Sequence, residues 1–157
     1  MAIDSFDIAM VERYLNSRGW RFDRTGDHKV VMKARAGERD VWVKFKSSRS
    51  APGVCTIRVQ SDHEFAREDR GRLLERANRW NSENRWPTAY VVDIPATGGI
   101  QVVGKSSYNF GSGVHFDLFT ALANNTILGA VQMLDDIGTS MKLPRTGSFE
   151  AWFRLSE

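Results

Sequence analysis

Residues 29–60 read KVVMKARAGERDVWVKFKSSRSAPGVCTIRVQ, with apolar side chains at every second position. Val30, Met32 and Ala34 alternate with Val31, Lys33 and Arg35; Val41, Val43 and Phe45 alternate with Trp42, Lys44 and Lys46. After Ser50-Ala51-Pro52-Gly53, the set Cys55, Ile57 and Val59 alternates with Thr56, Arg58 and Gln60. A period of two places one set on each face of a strand. Gly37 and Pro52-Gly53 fall where turns are required. Just upstream, Trp20 and Phe22 alternate with Arg21 and Asp23, and Thr25-Gly26-Asp27 supplies a further turn. The stretch predicts four short antiparallel strands joined by tight turns.

Outward from this core the period changes. Asp4 or Ser5 can cap a helix whose apolar stripe is Ile8, Val11, Tyr14 and Leu15, with Gly19 as its stop. On the other side, Ser61-Asp62-His63-Glu64 has the spacing of a capping box for a second helix. Its buried stripe is Leu73, Leu74, Ala77 and Trp80, and Glu68 to Arg72 and Glu75 to Arg79 are i, i+4 pairs on its wet side. Trp86-Pro87 ends it. Residues 88–94 and 100–110 read as two strands around a hairpin loop, and residues 115–137 as a strongly apolar last helix. The order is helix, four strands, helix, two strands, helix. Helices interleave with hairpins rather than with single strands, so the fold class is α+β: an antiparallel sheet with helices packed on it. One domain is expected over residues 1–138, followed by an aromatic tail over 139–157.

Composition agrees with a folded body. The chain has 157 residues, 41% hydrophobic and 26% charged, enough to bury a core without staples. One cysteine excludes an internal disulfide framework and a cysteine-based zinc site. The apolar run 114–137 is broken by Asp117, Thr120, Asn124, Asn125, Thr126 and Gln132, so no membrane span is expected. The N-terminus lacks the basic-then-apolar order of a secretory signal, which predicts a cytoplasmic protein. The net charge is +3. Residues 1–86 hold 18 Lys and Arg against 13 Asp and Glu, whereas residues 87–157 hold 4 against 6. That asymmetry helps attract an anionic partner, though the basic residues are sparser than in most nucleic-acid stripes.

Several chemical motifs fail on context. Residues 99–106, GIQVVGKS, match the phosphate-loop pattern GxxxxGKS/T letter for letter. The intervening Ile, Gln, Val and Val favour extended chain, and no helix can open at Lys105, so the match carries no nucleotide site. His63-Glu64 begins an HExxH pattern, but position 67 is arginine. His28, His63 and His115 are placed in separate turns and helix starts. Cys55 alternates with core residues and reads as a buried thiol rather than a nucleophile. Asp135-Asp136 reads as a solvated helix end. No acid–base pair, nucleophile or metal set emerges, so no enzyme activity and no cofactor are expected.

Two features stand above this background. The outward strand face collects Lys33, Arg35, Lys44, Lys46 and Arg58 around Trp42. An aromatic among cations can stack a nucleic-acid base or a partner's side chain, or the basic stems can simply shield an exposed sheet. The second is FEAWF near the C-terminus, where Phe149, Trp152 and Phe153 fall at i, i+3 and i+4. Such a stripe is too apolar for a free tail, and docks either on its own domain or on a partner.

Residues 77–93, ANRWNSENRWPTAYVVD, resemble the YbjN family of bacterial sensory transduction regulators. There a helix ends in an Asn-x-Trp-Asn type motif, followed by a charged spacer, an aromatic-Pro pair and a strand. Asn78, Trp80, Asn81, Trp86 and Pro87 supply those positions, and Gly113-Val114 resembles the family's entry into its last helix. His115 stands where Ser or Thr is more usual. The likeness spans roughly residues 4–137. It implies a fold similar to type III secretion chaperones and a non-enzymatic regulator acting through protein–protein interaction. The basic pI near 9.2 departs from those chaperones, which are usually acidic. Read from the residues alone, Asn81 near a helix end can bond the freed carbonyls, a cap worth about 1 kcal/mol. The expected partner is a protein bound through Trp42, Lys44, Lys46, Arg58, Phe149, Trp152 or Phe153, with a homodimer as one form of it. A nucleic acid on the basic strand face is the alternative.

Overall fold

The computed structural model describes residues 2–36 and 39–142. Helix α1 (Ile8–Ser17) leads into strands β1 (Asp23–Arg24), β2 (Lys29–Ala36), β3 (Arg39–Ser47) and β4 (Val54–Ser61). After a single 3₁₀ turn, Arg67–Asp69, come α2 (Arg70–Glu83), β5 (Thr88–Asp93), β6 (Ile100–Asn109) and α3 (Phe116–Ser140). The strands form one antiparallel sheet in the order β1-β2-β3-β4-β6-β5. The expected α+β class and element order are both observed.

The period-two residues sort as predicted. Val30, Met32, Val41, Val43, Phe45, Cys55, Ile57 and Val59 are all buried on the face that α1 and α3 cover, while α2 lies against β5. Tyr14 ties α1 to the far helix: its hydroxyl donates to Asn124 Oδ1 at 2.6 Å, and its ring meets Trp20, Phe45 and Phe119. Burying an aromatic hydroxyl requires such a partner. The hydroxyl's desolvation raises its pKa well above the ordinary value.

The element ends differ from the sequence expectations, and at the starts of α1 and α2 the reason is long-range. Neither Asp4 nor Ser5 caps α1. Asp7 does, its carboxylate accepting from the Met10 N–H at 3.2 Å, because the Asp4 backbone is engaged in a two-bond bridge with Val114. Residues 61–64 are not a capping box: Ser61 belongs to β4, its Oγ accepts from the His63 N–H, and α2 starts only at Arg70. Pairing of the Phe65 backbone with that of Ile100 holds the chain between β4 and the 3₁₀ turn out of the helix. Leu74 is exposed rather than part of the α2 stripe, and Arg72 pairs with Asp69. Helix α3 runs on to Ser140, three residues past the expected end, carrying a buried Gly138 through its last turn. A mid-helix glycine costs only about 1 kcal/mol, which burial of Ile137 offsets. Phe149, Trp152 and Phe153 lie outside the described residues.

Candidate functional site

The three helices cover one face of the sheet, and the other face carries the candidate site. Strand register lays its side chains out in rows. In the first, Lys29 stands opposite Lys46, and Lys46 opposite Thr56. In the second, Val31, Lys44, Arg58 and Lys105 follow one another across β2, β3, β4 and β6. In the third, Lys33, Trp42, Gln60, Val103 and Tyr90 do the same, reaching edge strand β5. Trp42, Lys44, Lys46 and Arg58 are thus brought to one face, as their parity required.

The cations divide into two groups. Lys33 is balanced: its Nζ is 3.5 Å from the Asp40 carboxylate and 5.6 Å from the centre of the Trp42 ring. Arg35 stands opposite Asp40 in the register, at the same end. At the other end a hollow of about 390 Å³ opens between the strands, lined by Lys29, Lys44, Lys46, Arg58 and Lys105. No carboxylate among the described residues lines it. Lys44 feels the crowding: burial, then Lys29 and Arg58, hold its pKa below the ordinary lysine value. Arg58 Nε is buried without an acceptor among the described residues. Lys105 Nζ lies 5.2 Å from the centre of the Tyr90 ring, a cation–π contact.

Beside the hollow runs an apolar band. Tyr90 is 43% exposed at the edge of the sheet, Trp42 is half-buried, and Val103, beside Tyr90 in the same row and separated from Trp42 by Gln60, is buried by its neighbours. Sequence reading missed Lys29, Lys105 and Tyr90. Lys29 shares the parity of Lys33 and was legible. Lys105 and Tyr90 join the site only because β6 pairs with β4, a contact no local pattern announces.

The remaining candidates lie elsewhere. Residues 100–106 are extended within β6, so the phosphate-loop look-alike is strand. Cys55 is fully buried on the helix-covered face, where desolvation pushes its thiol up to about 12. His28 reaches Ser47 Oγ, His63 packs edge-on against Phe65, and His115 reaches the Ala2 carbonyl. Among the described residues, no group of three or more His, Cys, Asp or Glu is placed to hold a metal ion. No helix among them is long and apolar enough to cross a membrane.

The helix–turn–strand segment has a different role from the expected one. Asn81 does not cap α2. Its Oδ1 accepts from the Ala89 N–H at 2.7 Å and its Nδ2 donates to the Ala89 carbonyl at 3.1 Å. It therefore completes the outer edge of β5, as a neighbouring strand would. Asn84 bonds the helix-end carbonyl of Trp80 instead, and Trp80 Nε1 donates to the Pro87 carbonyl at 2.9 Å. Pro87 follows a cis peptide and is buried.

These features define a class: a one-sided α+β sheet protein, with helices on one face and a cationic and aromatic face that the described residues leave uncovered on the other. The chain belongs to the YbjN family, described as "Putative bacterial sensory transduction regulator", whose family model matches residues 7–138. Among solved structures it is similar to the crystal structure of YbjN from E. coli, described as a putative transcription regulator. The TM-score is 0.70 at 10% identity, covering 90% of this chain and 97% of the other. That likeness is one of fold. No curated protein sequence matches the chain.

Proposed function

We propose that this protein is a non-catalytic cytoplasmic regulator that works by binding a protein partner on the helix-free face of its sheet. The observation that carries the reading is the apolar band of Trp42, Val103 and Tyr90 beside uncompensated cations. Aromatic side chains flanked by basic ones suit an acidic, partly apolar protein surface. Lys44, Lys46 and Arg58 steer and orient that partner, while Trp42 and Tyr90 anchor it. Membership of a family described as regulators supports the reading. The free, buried Cys55 fits a reducing compartment. Phe149, Trp152 and Phe153 supply a second contact, so removing residues 145–157 weakens capture.

A photo-crosslinking residue at position 90, introduced in the native host, tests this. The expected result is a discrete protein adduct that is lost in Trp42→Ala, with none from a probe at position 75 on α2. Equal labelling at both positions, or none at either, overturns the proposal. An adduct of twice the chain mass identifies the partner as a second copy. A nucleic acid on this face would instead bind with an affinity that falls steeply with salt.

A further inference from the structure

The cationic hollow is built differently from the rest of the face. Three like-charged pairs stand directly opposite one another on adjacent strands: Lys29 with Lys46, Lys44 with Arg58, and Arg58 with Lys105. Cross-strand partners have their Cβ atoms only about 5 Å apart, and like charges there destabilise a sheet. Among the described residues, none of the five cations forms an ion pair. A solvated basic face would space its charges or interleave acids, as the Lys33–Asp40 end does.

We propose that this hollow is a binding site for a compact, multiply charged phosphate anion, a di- or triphosphate chain either free or carried by a nucleotide. The size supports a small ligand: about 390 Å³ is at the lower end for ligand pockets and far too small for a nucleic-acid helix. The chemistry supports phosphate. Several point-charge ammoniums and one forked guanidinium converge where an anion with many oxygens could meet them together. Arg58 Nε is a buried donor with no acceptor among the described residues, while in the same lining the Thr56 hydroxyl is shared with Ser107 and the Ser47 hydroxyl with His28. Because the cations sit on paired strands, the backbone is ordered before binding and only the long side chains lose freedom. The hollow adjoins the Trp42–Tyr90 band through the Lys105–Tyr90 contact and shares Lys44, Lys46 and Arg58 with the proposed protein-binding face, yet anion binding there requires no protein partner.

Calorimetry with inorganic triphosphate at low salt is the direct test, with ATP and a mixed-sequence 20-nucleotide single strand as parallel arms. The expected result is one saturable site per chain. Lys44→Gln and Lys105→Gln each weaken it roughly tenfold, the loss of one charge-assisted contact, and Lys33→Gln leaves it unchanged. Without ligand, Lys44→Gln raises the melting temperature, because a repulsive pair is relieved. Equal affinity for triphosphate and ATP identifies the phosphate chain as the ligand, and tighter ATP binding adds a nucleoside. The proposal is overturned by absent saturation with both anions, by an equal loss in Lys33→Gln, or by an oligonucleotide that displaces triphosphate with affinity rising with strand length. The last result makes the face a nucleic-acid surface.

Discussion

Replacing Asn81 by alanine removes two hydrogen bonds that hold α2 to the outer edge of β5. Strand β5 pairs with β6 on one side only, so the Ala89 N–H and carbonyl that point away from β6 depend on this side chain. Each bond contributes a net of about 1 kcal/mol, and the two orphaned backbone groups regain water only in part, because Ala89 is 5% exposed. The sum is about 2 kcal/mol, or roughly 4–8 °C of melting temperature for a chain of this length. Asn84→Ala is the internal control. It also deletes a bond, to the Trp80 carbonyl, but that carbonyl keeps the Asn84 backbone N–H at 2.9 Å. Its cost is therefore below about 1 kcal/mol. Urea unfolding monitored by tryptophan fluorescence measures both. The reasoning fails if Asn81→Ala costs less than about 0.5 kcal/mol, or if the two variants cost the same. Either result would mean that Asn81 acts as an ordinary helix-end residue.

Three further outcomes follow from the same geometry. Gly104→Ala places a Cβ 2.7 Å from Pro87 Cγ and 3.2 Å from Met133 Cε, which costs about 1–3 kcal/mol of overpacking in an unfolding titration. At pH 8 the Cys55 thiol, buried and pushed up to about 12, resists a disulfide-exchange reagent while the protein is folded and reacts fully in urea; prompt labelling of the native protein would contradict its placement. Lys44 titrates below the unfolded value of 10.5, so between its folded pKa and 10.5 the unfolded chain binds more protons and stability rises with pH. The stability advantage of Lys44→Gln over the unsubstituted protein should therefore be full near neutrality and shrink as pH approaches 10.5, and an advantage unchanged by pH would oppose that account.

Strand parity was legible because it is local. Val43 and Lys44 differ by one position and must face opposite ways, whatever the rest of the chain does. The element order was legible for the same reason, since turns at Gly26 and Pro52-Gly53 are set by neighbouring residues. The misread caps each involve a second partner competing for a local group. Asp4 and Asp7 are equivalent caps by type, and only the bridge to Val114, more than 100 residues away, decides between them. Ser61 has the right spacing to cap α2, yet β3 claims it, for it stands opposite Val41 in the register. Asn81 offers its amide to whichever backbone is nearest, and the turn through Trp86-Pro87 brings Ala89 there before the helix end can use it.

Lys105 shows how a wrong local motif and a site residue can coincide. In a phosphate loop the lysine acts together with curled backbone N–H groups and a helix start. None of that is available here, because residues 100–109 are extended and paired with β4, β5 and, at Ile100, with Phe65. The side chain alone is free to act, and strand parity turns it to the helix-free face opposite Arg58. Gly104, one position earlier, must then point to the covered face, where Pro87 and Met133 leave no space for a Cβ. The small residue is explained by packing and the charged one by the neighbouring strand. The lysine's use is thus set by cations contributed from β2, β3 and β4, and a test of phosphate binding should substitute Lys44 as well as Lys105, since an isolated Lys105 on a strand would hold an anion no better than any surface lysine.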